Sequence, residues 1–149
     1  MAVVCAMAGP AFADGHKKDI NVSYQPALYW ALPYYIADQK GWWDKVGLSP
    51  KYSTFPSGAP QVAAAAAGDW DVGGTGSAPA VLGAARFDII TIGITNNESA
   101  GNAMMVRGAE AAGIKANPAE ALRGKQLLVT TNSTGEYASA ASIESFGLK

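Results

Sequence analysis

The feature that most limits the fold of this chain is a repeated order of apolar strand, polar turn and helix. It is clearest in residues 127–146, LLVTTNSTGEYASAASIESF, and the same order follows the predicted strands at residues 19–24, 51–55 and 69–73. Strands that alternate with helices predict an α/β fold with a mainly parallel sheet. Ligands of such sheets bind beyond the carboxyl ends of the strands, where these polar turns lie.

Further elements follow from local patterns. Residues 88–95, DIITIGIT, are predicted to form a strand buried on both faces, and residues 103–106 and 125–131 to form two more strands. Pro33 is suited to the first turn of a helix that runs to Lys40, which leaves Trp30 in the preceding loop. The alanine run 62–67 predicts another helix, and Ser77 is the expected N-cap of a third.

The composition excludes several classes of function. The chain has 149 residues, a net charge of −1 and 15% charged residues, without the clusters of Lys and Arg that nucleic-acid binding requires. One histidine, His16, and one cysteine, Cys5, leave little for catalysis, and neither metal-ligand spacing nor a nucleotide-binding glycine motif occurs. The sequence therefore predicts a protein that is not an enzyme and binds no metal, cofactor or nucleic acid.

The amino terminus has the pattern of an export signal. Residues 1–13, MAVVCAMAGPAFA, are uncharged and apolar and end in Ala-Phe-Ala, after which the chain turns polar. We expect cleavage after Ala13, which would remove Cys5 and deliver the mature chain to the periplasm. A frayed terminus is the alternative.

Three Ser/Thr/Gly turns are candidate sites for a small anion. Each precedes a predicted helix, so free backbone N–H groups and the positive end of the helix dipole would point at the ligand. Ser133 with Glu136 also fits a capping box, which would satisfy only the N–H groups of its own helix. The turns comprise Ser57 and Gly58; Thr75, Gly76 and Ser77; and Ser133, Thr134 and Gly135.

Four other residues are candidates for contacting the part of the ligand that carries no negative charge. Gln25 lies in the loop after the first strand, and Trp30 either packs on a ligand or belongs to the core. Asn97 and Glu98 follow the strand predicted at residues 88–95. Glu98 could meet a ligand ammonium group, with a solvated loop carboxylate as the alternative.

The chain resembles the periplasmic substrate-binding proteins of ABC importers for nitrate, aliphatic sulfonates and taurine, a family that also includes binders of thiamine precursors. The resemblance rests on INVSYQ, IADQKGWWDKVGL, FPSGAPQVAAAAAGDWDVGGTGSAPAVLGA, AMMVRG and AEALRGKQLLVTTNSTGEY, in that order. Residues 133–137 are similar to the taurine-binding branch. Asn102, however, stands where taurine-type relatives carry an acidic residue, and Glu136 would repel an anion if it pointed inward.

This resemblance implies a periplasmic-binding-protein type II fold with two lobes that close on the ligand. Residues 14–107 would form most of lobe one, 108–124 a connector and 125–149 the start of lobe two. The ligand would be a small anion or zwitterion, the partner a membrane permease, and the intact protein a monomer. Alternatives are an enzyme of thiamine-pyrimidine synthesis on the same scaffold and a ligand-sensing module.

Overall fold

A computed structural model describes residues 17–149, so the predicted export signal at residues 1–13, Cys5 and His16 lie outside the described residues. Three strands and seven helices are assigned in this range. The strands are β1 (Lys18–Tyr24), β2 (Leu48–Thr54) and β3 (Val72–Gly73). The helices are α1 (Leu28–Gln39), α2 (Trp42–Lys45), α3 (Gly58–Ala66), α4 (Ser77–Phe87), α5 (Gly108–Ala116), α6 (Pro118–Ala121) and α7 (Thr134–Ser145).

The strands form a parallel sheet in the order β2-β1-β3. Lys18 pairs with Leu48 and Tyr24 with Thr54, while Val22 pairs with Val72 on the other side of β1. Helices connect successive strands, as parallel pairing requires. The predicted α/β class with a parallel sheet is therefore confirmed, whereas the two-lobed arrangement and the lobe boundaries stay predictions.

The core is small and is centred on β1. Val22 and Val62 are 0% and 1% exposed, and Trp30 and Ala37 of α1 are also buried. Burial of a valine side chain contributes roughly 1.5–3 kcal/mol. Val22 and Ser23 in the carboxyl half of β1 are both 0% exposed, so this part of the strand, which leads to the Gln25 loop, is fully buried.

The strands predicted at residues 88–95, 103–106 and 125–131 are wrong: no strand is assigned in any of them. Ile90, Ile92 and Ile94 are 80%, 83% and 91% exposed, and Leu128 is 92% exposed. A strand is stable when its N–H and C=O groups pair and one face is covered. Within residues 17–149, no ladder partner is assigned to these segments.

Several helix boundaries also differ from the prediction. Helix α1 begins at Leu28, because the Ala27 carbonyl accepts hydrogen bonds from the N–H groups of Trp30 and Ala31. Trp30 therefore lies in the first turn of the helix rather than in a loop. Pro33 lies inside α1, where its missing N–H removes one helical hydrogen bond. Gly76, not Ser77, is the N-cap of α4.

Other helices agree with their patterns. Helix α7 ends at Ser145 and is followed by Gly147 with φ of +71°, the left-handed conformation that glycine adopts readily. Helix α3 begins at Gly58, ahead of the predicted alanine run. Helix α5, in contrast, lies within the predicted connector, at residues where no helix was predicted. None of the helices in residues 17–149 is long and apolar enough to cross a membrane.

Candidate functional site

The amino end of α4 is where three distant segments of the chain meet. The Ser77 hydroxyl donates to Glu98 Oε2 at 3.2 Å and lies 3.4 Å from Thr134 Oγ1. The Ala78 N–H donates to the same Thr134 oxygen at 3.3 Å. A methyl group added at Gly76 would lie 2.6 Å from Thr134 Oγ1, so the backbone approaches this side chain closely.

These contacts bring the amino ends of two helices together. Ser77 is the first residue of α4 and Thr134 the first residue of α7. A helix amino end carries roughly half a positive elementary charge, so two such ends repel each other unless negative charge lies near them. The Glu98 carboxylate is beside Ser77 and supplies such a negative charge. A ligand oxyanion at the same place would also be attracted by the positive potential of the two helix ends, and the Glu98 carboxylate would attract a cation.

A cavity of about 1010 Å³ opens beside this cluster. Segment 88–98 forms one side, and residues of β3 and α4 form another. Trp30 lines the cavity although it is only 6% exposed and is packed against Tyr29, with ring centroids 5.1 Å apart. Five predicted site residues share this lining: Trp30, Thr75, Ser77, Asn97 and Glu98.

Ser133 and Gly135 face elsewhere. They line a separate cavity of about 250 Å³ together with Asn102. The Ser133 hydroxyl accepts from the Glu136 N–H at 3.1 Å and donates to the Thr130 carbonyl at 2.6 Å, so it caps its own helix. Its use as a cap is the alternative that the sequence left open, and it leaves Thr134 as the residue of this turn that reaches α4.

The Glu136 carboxylate is turned toward its own loop. Its Oε2 accepts from the Asn132 N–H at 2.6 Å. In a standard capping box the carboxylate accepts from the N-cap residue itself, which here is Ser133. The carboxylate therefore serves the turn before α7 and lies away from the hydrogen bonds at Ser77.

Two other predicted residues act within their own turns, and two more contact Thr75. Ser57 is the N-cap of α3 without a side-chain capping hydrogen bond. Asn97 Oδ1 accepts from the Ser99 N–H at 2.9 Å within its loop. Gly58 is buried, and a methyl group there would lie 2.7 Å from Thr75 Oγ1. Gln25 is linked to Thr75, with 3.1 Å between Nε2 and Oγ1.

The buried amide of Gln61 is the site feature that the sequence prediction missed. Gln61 is 1% exposed and hydrogen-bonds Ser23, Gln25 and the Gly74 carbonyl. A glutamine beside Val62 at the start of an alanine-rich helix was the available signal, because a polar residue on a core-facing position needs polar partners. It connects the loops after β1 and β3.

Tyr34 lies next to the same loop. A methyl group at Gly74 would be 3.3 Å from the Tyr34 hydroxyl oxygen. Burial raises the pKa of Tyr34 above its ordinary value of 10.0. The phenol is therefore neutral at physiological pH and adds no negative charge near the cavity.

The described residues hold no group of three or more His, Cys, Asp or Glu side chains arranged to bind a metal ion. The polar atoms of the site are hydroxyls, amides and one carboxylate. Such groups bind and orient a small polar ligand.

Comparison with known proteins gives one informative similarity. The chain is 31% identical over 135 residues to a protein of Bacillus subtilis (strain 168) named "Putative aliphatic sulfonates-binding protein". The match includes 87% of this chain, which spans 39% of the length of that relative. No family model matches the chain, and no solved structure does so.

Proposed function

We propose that this chain belongs to an exported substrate-binding protein of an ABC importer. The protein would capture a small solute that carries a sulfonate or another oxyanion and deliver it to a membrane permease without chemical change. The similarity to a relative named for binding aliphatic sulfonates supports this assignment. The oxyanion chemistry rests on the amino end of α4, where a hydroxyl oxygen from a distant segment accepts a backbone hydrogen bond.

Thr134 Oγ1 occupies the position that a ligand oxygen would take. A sulfonate oxygen near Ala78 would accept the same N–H, and its full charge would interact more strongly with the helix end than a hydroxyl does. The hydroxyls of Ser77 and Thr134 would then donate to the anion. Because these hydroxyls lie on segments 56 or more positions apart, ligand binding would favour the conformation in which the two helix ends are close.

Binding measurements on paired variants test this site. We expect Ser77→Ala and Thr134→Ala each to weaken binding of ethanesulfonate or taurine about tenfold, as loss of a hydrogen bond to a charged group predicts. Isothermal titration calorimetry measures the affinity, and Ser145→Ala on the far end of α7 is the matched control. Unchanged affinity in both site variants would contradict the assignment.

The position of the Glu98 carboxylate predicts which sulfonates the protein prefers. Its carboxylate is 3.2 Å from Ser77 Oγ, close to the proposed anion position, so an ammonium group on the ligand would form an ion pair there. Taurine and ethanesulfonate differ by that amine. We expect Glu98→Gln to weaken taurine binding and to leave ethanesulfonate binding unchanged or tighter, since a competing negative charge is removed.

The same titrations separate this prediction from its opposite. If Glu98 only neutralises the two helix ends, Glu98→Gln will change the affinity for both ligands by the same factor. Asn97→Asp adds a second carboxylate next to Glu98 beside the same cavity, and so tests the general effect of negative charge on the affinity for both ligands. Preferential loss of taurine in Glu98→Gln is the result that assigns Glu98 to the ligand amine.

A further inference from the structure

Gln61 has no freedom in the orientation of its side-chain amide. The Gly74 carbonyl oxygen lies 3.1 Å from Nε2 and can only accept hydrogen bonds. The second Nε2 hydrogen goes to Ser23 Oγ at 2.8 Å. Both hydrogens of Nε2 are therefore used, and Oε1 of Gln61 must act as an acceptor.

Gln25 is oriented in turn by Gln61. Its Nε2 donates to Gln61 Oε1 at 3.3 Å and to Thr75 Oγ1 at 3.1 Å. If the Gln25 amide were reversed, two carbonyl oxygens would face each other at 3.3 Å without a hydrogen between them. The orientation of Gln25 thus follows from the Gly74 carbonyl through one buried intermediate.

Thr75 is the end of this chain of hydrogen bonds. Its Oγ1 accepts from Gln25, so its own hydrogen is left for another acceptor, and no acceptor for it is assigned within residues 17–149. Thr75 lines the 1010 Å³ cavity. Gly58 and Pro79 leave little room around it, since a methyl group at Gly58 would lie 2.4 Å from Pro79 Cγ and 2.7 Å from Thr75 Oγ1.

We propose that Gln61, acting through Gln25, fixes the Thr75 hydroxyl as a hydrogen-bond donor to the ligand and thereby selects ligands that present acceptor oxygens. This inference rests on the proposed function for the existence of the ligand. A threonine hydroxyl can ordinarily donate or accept, and so tolerates either an oxyanion or an ammonium group. Here Gln25 uses one of the two lone pairs of Oγ1, while the Thr75 hydrogen has no acceptor assigned within residues 17–149, so a ligand that presents an acceptor oxygen pairs a hydrogen that an ammonium group would leave without a partner. Gln61 is a positioning residue that does not touch the ligand.

A double-mutant cycle tests the coupling. Thr75→Val removes the hydroxyl with little change of shape, and Gln61→Met frees Gln25 to reverse and accept from Thr75. We expect each change to weaken ethanesulfonate binding about tenfold, and the double variant to bind no more weakly than Thr75→Val alone. A purely structural role of Gln61 would make the two losses multiply, which would overturn the proposal. Gln39→Met on the exposed face of α1 is the matched control.

Nuclear magnetic resonance of the unliganded protein gives a readout that needs no ligand and no variant. We expect nuclear Overhauser contacts from the Gln25 Nε2 hydrogens to the Thr75 methyl group, and slow solvent exchange of the Gln61 Nε2 hydrogens. Absence of both would overturn the hydrogen-bond chain. If both are seen but ethanesulfonate and taurine fail to bind, the sulfonate assignment in the proposed function is wrong and the hydrogen-bond chain from Gln61 to Thr75 stands.

Discussion

At the scale of single residues, Gly58 is a position where three parts of the site pack closely together. A methyl group there would lie 2.4 Å from Pro79 Cγ and 2.7 Å from Thr75 Oγ1. The ring of Pro79 is held in the first turn of α4 and cannot move away as a flexible side chain would. The absence of a side chain at Gly58 therefore allows α3, α4 and the Thr75 loop to approach one another.

We expect Gly58→Ala to destabilise the protein by about 1–3 kcal/mol, the usual cost of overpacking. Urea denaturation followed by circular dichroism measures the free energy of unfolding. The matched control is Gly113→Ala in α5, where nothing lies within 4 Å of the added methyl group. There alanine should stabilise the helix by roughly 0.5–1 kcal/mol. Equal effects of the two substitutions would contradict the packing argument.

At the scale of elements, α7 depends on the cap that Ser133 provides. Its hydroxyl accepts the Glu136 N–H, one of the four N–H groups that have no partner within the helix. We expect Ser133→Ala to lower the free energy of unfolding by about 1 kcal/mol and Ser133→Asp to retain most of it, because aspartate also caps. Urea denaturation compares the three proteins. A loss in Ser133→Asp as large as in Ser133→Ala would show that the cap is not the cause.

The same helix shows what the sequence predicts well. Its cap and its end at Gly147 are local signals, and both agree with the structure because capping depends on residues within one turn. Strand β1 was predicted correctly for a similar reason, because alternation of apolar and polar residues is a local signal of a strand with one covered face. The turn before α4 was also placed correctly, although its N-cap is Gly76, while its use as an anion site stays a prediction.

The segment at residues 88–95 shows what the sequence could not supply. Its composition is ideal for a strand, yet Ile92 is 83% exposed and no strand is assigned. Whether such a segment forms a strand depends on a neighbour that offers hydrogen bonds, and that information is not in the segment itself. Gln61 was missed for a related reason: its importance lies in partners from two other loops.

At the scale of the whole molecule, two phenols link stability to alkaline pH. Tyr52 donates to Asp38 Oδ1 at 2.8 Å and accepts from Trp43 Nε1 at 3.1 Å. Burial, and then the hydrogen bond and negative charge of Asp38, raise the pKa of Tyr52 above its ordinary value of 10.0. Burial also raises the pKa of Tyr34.

The sign of the effect follows from proton uptake. The unfolded chain loses its phenolic protons near pH 10.0, before the folded protein does. The stabilisation is therefore complete below that pH and is lost as the pH rises from there toward the folded pKa values. We expect the urea midpoint of the protein to fall above about pH 10. The urea midpoint of Tyr52→Phe should fall less steeply over the same pH range. Tyr35→Phe is the matched control, and a decline of equal slope in Tyr52→Phe would contradict the assignment.

The position of β1 in the middle of the sheet has a consequence for synthesis on the ribosome. β1 emerges first but has no strand partner until β2 follows, and Val22 must wait for Val72, 50 positions later. At a translation rate of roughly 5–20 residues per second, that second pairing is delayed by a few seconds. Because β1 precedes both of its partners in the chain, the sheet can assemble outward as the chain emerges, on the ribosome or after export, and of these three strands β3, where the Thr75 loop begins, is added last.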